Sequence, residues 1–405
     1  MATTGNAHIG LPDLEPIPRS EYIERVRYLQ EELSRQRLDG LFITSEDNFR
    51  YFTGFFSPVW INLTRPRYCI IPTTGEPCII SASSNVTIVE RTSWVADVRS
   101  WVAPNPEDDG VSLAVDAIKA CKPLFGRIAA EIGPESRITM PVGDFLRIQR
   151  SIAPIEIVDG MPLIMAQRRV KSDNEVRRIR AICQIASAAF EALPASIQSG
   201  DTVFSVCQKF KLDLLRRGAE STPYVIGVAD DGGYPCVNLA PDNRRLSKGD
   251  VLVIDTGSTV DGYYCDFDRD YSIGEPAEPE RSAYARVWRA TQAGLEAIMP
   301  GRRACDVWHA MASELGGAAK ETGVGRMGHG VGLRMCEPPS VSSTDETELV
   351  PGMVITLEPG IAYHVERDGS KQKRVCIHEE NVLVTESGSE LLTRRAAHTI
   401  PTVTF

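Results

Sequence analysis

The sequence predicts two domains, an α/β layer domain over residues 1–166 and an α+β domain over residues 167–405. Three observations carry this. At 405 residues the chain exceeds one ordinary hydrophobic core. In the first half, short apolar strands alternate with amphipathic helices, as in a layered α/β domain. Beyond residue 166 long helices come first, and apolar strands that end in acids follow. That order suits helices packed on one side of an antiparallel sheet.

Residues 21–37 have helical periodicity, with Leu29 and Leu33 on one face and charges opposite. Leu41, Phe42 and Ile43 read as a short buried strand. Residues 68–72 and 77–81 read as two strands joined by a Thr-Thr-Gly-Glu turn. Residues 111–122 and 142–152 read as helices, the first stopped by Pro123. Residues 161–166 form the junction. A long helix then covers 169–193, with Ser172 as its cap and Glu175 three residues on, the spacing of a capping box. A second helix covers 201–217. Strands are expected at 251–255, 263–273, 353–358 and 381–385, with helices at 282–298 and 305–315 between them.

Composition narrows the function. The net charge of −10 offers no basic face, so no nucleic-acid partner is expected, while an acidic sum suits a cation site. No apolar run approaches the roughly 20 residues of a membrane span. The polar, proline-bearing start lacks the apolar core of a signal peptide, which points to a cytoplasmic protein. The ten cysteines are scattered with no CxxC pair, so they read as reduced, mostly buried thiols.

The chemistry lies in the second half. Residues 251–255 form a buried apolar strand ending in Asp255, and a carboxylate there is costly unless a cation or hydrogen bonds neutralise it. Asp266 follows eleven positions later. With residues 258–262 as a turn, the two strands pair and bring both acids together. His329 sits in Gly328-His329-Gly330-Val331-Gly332-Leu333, where glycines let the backbone approach a ligand or ion. Glu358 ends another apolar strand, and Glu379 opens the last one. Four carboxylates and one imidazole exceed what one ion needs, so two divalent ions are expected. This hard donor set suits Mn, Fe or Co, with Zn as a further possibility.

These motifs resemble the family of methionine aminopeptidase, aminopeptidase P, prolidase and creatinase, whose shared catalytic domain is the pita-bread fold. The ligand order Asp, Asp, His, Glu, Glu, the Gly-His-Gly-x-Gly-Leu stretch, Leu357-Glu358-Pro359-Gly360 and the apolar strand after Glu379 all match. The helix entry at 169–179 resembles that of prolidases. The likeness runs from about Arg168 to the end, and the N-terminal half resembles the creatinase/prolidase N-domain in length and style. It implies metal ligation by Asp255, Asp266, His329, Glu358 and Glu379, with Glu358 and Glu379 relaying protons.

The chain departs from the peptidases around this set. Their histidine before the first ligand strand aligns with Asn238, and a second one, seven residues after the metal histidine, aligns with Cys336. Asp268 replaces a threonine, and Ile377 replaces an arginine. A rebuilt substrate shell follows, unsuited to ordinary Xaa-Pro peptides. Arg334 is a candidate clamp for a substrate carboxylate. Cys336 is a candidate nucleophile or acid. His364 is a candidate proton donor, while strand alternation turns His378 away. In the N-terminal half, residues 60–68 resemble the creatinase segment that reaches the neighbouring subunit's site in a homodimer. Trp60 with Arg65 or Arg67 would suit a small carboxylate bearing a cationic head.

Three readings result. The first is a dinuclear hydrolase acting on a small peptide or N-substituted amino acid. The second is a lyase on a small zwitterion, similar in fold to the metal-dependent dimethylsulfoniopropionate lyase, with Asp268 as one candidate for its base. The third is a non-catalytic binding module. Metal content separates the third from the others, and release of an amine rather than a vinyl product separates the first from the second.

Overall fold

The structure is a computed structural model and describes residues 14–317, 325–367 and 369–404. The chain forms two compact units, Pro16–Arg168 and Arg169–Phe405. The first holds a six-stranded mixed sheet built from β1 (Gly40–Ile43), β2 (Tyr68–Pro72), β3 (Cys78–Ala82), β4 (Asp97–Trp101), β5 (Arg127–Ala130) and β6 (Glu156–Asp159), in the order β4-β3-β2-β1-β5-β6. Strands β1, β2 and β3 run antiparallel to their neighbours in turn, and the remaining pairs are parallel. Its helices are α1 (Arg19–Arg35), α2 (Glu46–Thr53), α3 (Val86–Thr92), α4 (Val111–Ala120), α5 (Val142–Ile152) and α6 (Met161–Arg168). On α4 the buried Val111, Ala114, Val115 and Ile118 recur at helical spacing and meet Ile148 and Ile152 of α5 in one core.

Sequence periodicity missed α2, and a polar anchor accounts for its position. Glu131, just past β5, is buried and accepts hydrogen bonds from the Thr44 and Ser45 backbone N–H groups at 2.6 and 2.9 Å. It also accepts from the Thr44 and Ser45 hydroxyls and from Asn48 Nδ2 at 2.6 Å. A carboxylate thus sits at the N-terminal end of α2, where helix N–H groups lack intrahelical partners and the dipole favours negative charge.

The second unit opens with α7 (Asp173–Ala192), where the expected capping box forms between Ser172 and Glu175, followed by α8 (Val203–Arg216). Its strands are β7 (Ser221–Asp231), β8 (Asp250–Val260), β9 (Tyr263–Tyr264), β10 (Phe267–Ile273), β11 (Arg326–Gly330), β12 (Glu337–Ser342), β13 (Val354–Leu357), β14 (Gly360–Arg367), β15 (Ser370–Ile377), β16 (Glu380–Thr385), β17 (Gly388–Leu391) and β18 (Thr402–Val403). Helices α9 (Glu278–Ala297) and α10 (Ala304–Leu315) fall between β10 and β11. The expected single sheet is in fact two, ordered β18-β10-β8-β7 and β12-β11-β13-β16-β17, with β9 paired to β8 and a separate β14–β15 hairpin. Helices α7 and α8 pack on the first sheet, and α9 and α10 on the second. Every residue of β8 is buried, as expected for a strand covered on both faces.

The turn after Asp255 is shorter than expected. Strand β8 runs on to Val260, and the chain reverses at Asp261-Gly262, both with positive φ (49° and 76°). That is the two-residue Asp-Gly hairpin geometry. Its register sets Asp255 directly opposite Asp268, not Asp266.

Replacing Glu131 with alanine would leave buried donors of Thr44, Ser45 and Asn48 without their acceptor. At about 1–3 kcal/mol for each unsatisfied group, we expect Glu131→Ala to lower stability by at least about 2 kcal/mol. A urea midpoint unchanged from wild type would contradict the anchoring role.

Candidate metal centre

The local chain path explains how five ligand-type side chains converge. Asp268 and Asp255 face each other across β10 and β8, and Asp266 stands two residues from Asp268, so alternation gives all three one face of the sheet. Asn381 fixes the backbone at Asp266. Its Oδ1 accepts the Asp266 N–H at 3.0 Å, and its Nδ2 donates to the Asp266 carbonyl. On the second sheet, glycines hold His329 close to its neighbours. A Cβ on Gly328 (φ +148°) would lie 2.2 Å from the Thr356 carbonyl oxygen, and one on Gly330 would lie 2.3 Å from that of Pro338. The His329 N–H donates to Thr356 Oγ1 at 3.0 Å, and the Glu358 N–H donates to the Met327 carbonyl at 3.1 Å.

Asp266, His329 and Glu379 present ligand atoms that all lie within 4.8 Å of one another. His329 Nε2 is 3.4 Å from Asp266 Oδ2 and 3.8 Å from Glu358 Oε1. His329 Nδ1 lies 2.9 Å from the Gly330 carbonyl oxygen, an acceptor that requires the proton on Nδ1, so Nε2, which faces the acids, is the nitrogen that could bind a metal once it has lost its own proton. Asp255 Oδ2 accepts from Tyr224 Oη at 3.0 Å, while Asp255 Oδ1 and Glu379 Oε1 are buried with no hydrogen-bond partner among the described residues.

The electrostatics need a cation. Burial first, then the neighbouring Asp266, pushes the Asp255 carboxyl well above the usual range. Burial and then Asp266 do the same to Glu379, and burial raises Asp266 and Glu358. Burial would lower the His329 imidazole, but Asp266, Cys336 and Glu358 together hold it well above its ordinary value. Four crowded carboxylates, two of them with a buried oxygen that has no partner among the described residues, fit divalent ions, which would favour the ionised acids and the neutral imidazole.

These ligand groups line a cavity of about 660 Å³, the size of a small-molecule site. Asn238, Tyr224, Met335, Cys236, Arg326 and Lys373 contribute to its wall. The sequence reading missed Arg326. Its Nε lies 3.9 Å from Glu358 Oε1, and it enters the cavity because the β11–β12 register shifts between Arg326 and His329. Plain alternation would put residues three apart on opposite faces.

The other expected residues divide. Cys336 is half-buried beside His329 and Arg326 and, like Arg334, is not among the residues that line the cavity. Burial would raise its thiol, but His329 and then Arg326 hold it below the usual range. Arg334 does not line the cavity. Asp268 does not either, so its expected role as a base on substrate is not supported. It is 1% exposed, and its Oδ1 accepts the Glu379 N–H at 2.9 Å, so it is a positioning residue for Glu379. His364 is exposed on β14 opposite the cavity-lining Lys373 and outside the lining itself. His378 turns away as expected, with Nδ1 2.9 Å from Thr291 Oγ1. In the N-terminal unit, Trp60 and Arg67 are 7% and 3% exposed, and the Arg67 guanidinium lies 4.8 Å from the Trp60 ring centre. The expected cation-binding ring is therefore already covered by Arg67, and only Arg65 of that set is exposed.

Two outcomes follow for the metal. Asp255→Ala should lose at least one bound ion, and elemental analysis showing an unchanged metal content would contradict the ligand set. The raised carboxyls mean that the chelated folded chain holds more protons than the unfolded chain from about pH 4 upward. Its stability therefore falls as pH rises toward the raised values. Metal-loaded protein holds the acids ionised and escapes that loss. The melting difference between metal-loaded and chelated protein should be larger at pH 8 than at pH 5, and an equal or reversed difference would contradict this account.

With this geometry in view, comparison with known proteins is direct. The profile of metallopeptidase family M24 matches residues 177–386, and that of the creatinase/prolidase N-terminal domain matches residues 25–170. The chain is 28% identical over 380 residues to an Xaa-Pro dipeptidase of Pyrococcus horikoshii, covering 92% of this chain and 97% of that protein. It is 30% identical over 268 residues to an Xaa-Pro dipeptidase of Pyrococcus furiosus, covering 65% and 73%. The crystal structure of dipeptidase PepE from Mycobacterium ulcerans superposes with a TM-score of 0.80 at 26% identity, over 96% of this chain and all of that one. The chain belongs to metallopeptidase family M24, and it is a metal-dependent hydrolase with a creatinase/prolidase N-terminal domain and a pita-bread catalytic domain.

Proposed function

We propose that this hydrolase cleaves an amide bond in a compact amino-acid-derived carboxylate, a small dipeptide or an N-substituted amino acid, and that proline dipeptides are poor substrates. The observation behind this is the contrast between a complete ligand set and an altered wall. Asn238 lines the cavity, and Cys336 stands beside His329, where the family resemblance puts two histidines. The relatives named as Xaa-Pro dipeptidases support a dipeptide-sized substrate.

Two divalent ions, Mn, Fe or Co with Zn as a further possibility, would be held by Asp255, Asp266, His329, Glu358 and Glu379. They would supply electrophilic activation of the amide carbonyl and of water. Glu358 is the better placed of the two glutamates to move a proton between water and the leaving nitrogen. Its side chain is 19% exposed at the cavity, whereas Glu379 is 2% exposed. Glu379 is held through its N–H by Asp268 and through its carbonyl by Arg269 Nη1 at 2.8 Å. Asn238 can donate a hydrogen bond to a developing oxyanion but cannot carry a proton through the reaction, and the Cys336 thiol is a weak donor. Asp268, the base suggested for the lyase reading, is not among the residues that line this cavity.

We also propose a homodimer and a cytoplasmic location. Ile61 and Leu63, at the tip of the segment that follows Trp60, are 88% and 80% exposed, which suits coverage by a second copy. Among the described residues, no helix is long and apolar enough to cross a membrane.

On metal-loaded enzyme, kcat/KM for Xaa-Pro dipeptides should fall below about 10⁴ M⁻¹s⁻¹, the lower end of ordinary enzymes. Restoring both histidines in the double variant Asn238→His, Cys336→His should raise it, since one oxyanion donor is typically worth roughly 100-fold or more. Efficient Xaa-Pro cleavage by the wild type would show a plain prolidase, and a vinyl product in place of an amine would show a lyase. Sedimentation should give a dimer at assay concentration, and an active monomer would contradict the assembly.

A further inference from the structure

We infer that Tyr363 is a positioning residue for one wall of the metal cavity. Its hydroxyl holds the chain corner at Gly232, from which residues 235–238 are set against the β14–β15 hairpin, so substrate affinity and metal binding rest on separate contacts. This rests on the hydrolase reading above and goes beyond it by assigning a residue outside the cavity.

Pro235, Cys236, Val237 and Asn238 line the cavity as four consecutive residues, and Val375 and Ile377 of β15 line it too. The first group lies outside any strand, so its backbone has no regular ladder to fix it. Its path starts at the end of β7 with Gly232 and Gly233, at φ 71° and 124°, where a side chain is strained. The hairpin grips this corner. Arg367 Nε donates to Asp231 Oδ2 at 2.7 Å, Arg374 Nε to the Asp231 carbonyl at 3.2 Å, and Tyr363 Oη to the Gly232 carbonyl at 3.0 Å. Tyr234, which is fully buried, grips back. Its carbonyl accepts the Val375 N–H and its hydroxyl accepts the Ile377 N–H, both at 2.9 Å. Loop and hairpin thereby form one wall.

Tyr363 is the contact that the local shape singles out. Arg367 reaches a carboxylate that is 49% exposed, where an ion pair is screened and contributes little. Tyr363 instead reaches a neutral carbonyl through a gap in the loop. A Cβ on Gly233 would lie 2.1 Å from the Tyr363 hydroxyl, so the bare glycine is what admits the phenol. Tyr363 does not line the cavity and acts through the residues that do. The metal ligands at the two roots of the hairpin are fixed independently. The Glu358 N–H donates to the Met327 carbonyl and the Glu379 N–H to Asp268 Oδ1, and neither bond involves Tyr363.

The test compares wild type with Tyr363→Phe, which removes the hydroxyl alone, on Mn²⁺-loaded full chain. Hydrogen exchange should quicken at the amides of residues 236–238, Val375 and Ile377 and keep its rate along β8, with metal content unchanged. Calorimetric binding of glycylglycine should weaken roughly 2- to 10-fold, the net worth of one hydrogen bond. For any dipeptide that is turned over, KM should rise by the same factor while kcat holds. The inference is overturned if exchange in these segments is unchanged, if exchange quickens equally along β8, if metal content falls, or if the segments loosen while glycylglycine binding keeps its strength. Exchange and binding require no turnover, so the expected changes in both without hydrolysis would retain the positioning role and remove only the hydrolase reading. Failure of wild type to bind glycylglycine would overturn the part of the inference that concerns affinity.

Discussion

Four carboxylates gathered in the interior of one unit constrain the rest of the catalytic structure. Asp255 and Glu379 each hold a buried oxygen with no partner among the described residues, and each is pushed toward its neutral form by burial and by its neighbours. Such a cluster persists in a folded protein when cations complete it, because isolated buried charge is far too costly to leave alone. The surrounding elements then serve the cluster. Tyr224 holds one Asp255 oxygen, Asn381 holds the backbone at Asp266, Asp268 holds the Glu379 N–H, and the Gly330 carbonyl fixes the His329 tautomer.

Much of this centre was legible in the sequence because its ligands sit at the ends of apolar strands. An acid that ends a run such as Val251-Leu252-Val253-Ile254 announces a buried charge, and glycines flanking a histidine announce close backbone approach. Helices α1, α4, α5, α7, α8, α9 and α10 lie where the sequence put them, while α2, α3 and α6 (the last read as a junction) were not foreseen, and the Ser172–Glu175 capping box formed as its spacing required. The turn, placed at residues 258–262, is tighter in the structure, and the register it sets puts Asp255 opposite Asp268. The Asp261-Gly262 dipeptide was the signal for the tighter hairpin.

Other features had no local signal. Arg326 reaches the cavity through a register irregularity between β11 and β12, which depends on partner strands distant in sequence. Strand β7 alternates only weakly between exposed and buried positions, and the β14–β15 hairpin is rich in charged residues, so neither reads as an apolar strand. Trp60 and Arg67 looked like a ligand site because an arginine beside an aromatic residue can face outward or inward with the same spacing. Here they cover each other. The substrate wall is thus set by long-range packing, while the ligand set is written in short motifs.

The central claim is that this carboxylate and imidazole cluster is completed by cations. The most direct measurement is a calorimetric titration of Mn²⁺ into chelator-treated protein near neutral pH, run in two buffers of different ionisation enthalpy. Raised carboxyls and a protonated His329 must lose protons as the ions enter. The account predicts saturation at two ions per chain with net proton release. Absence of saturable binding, or binding without proton release, would contradict it.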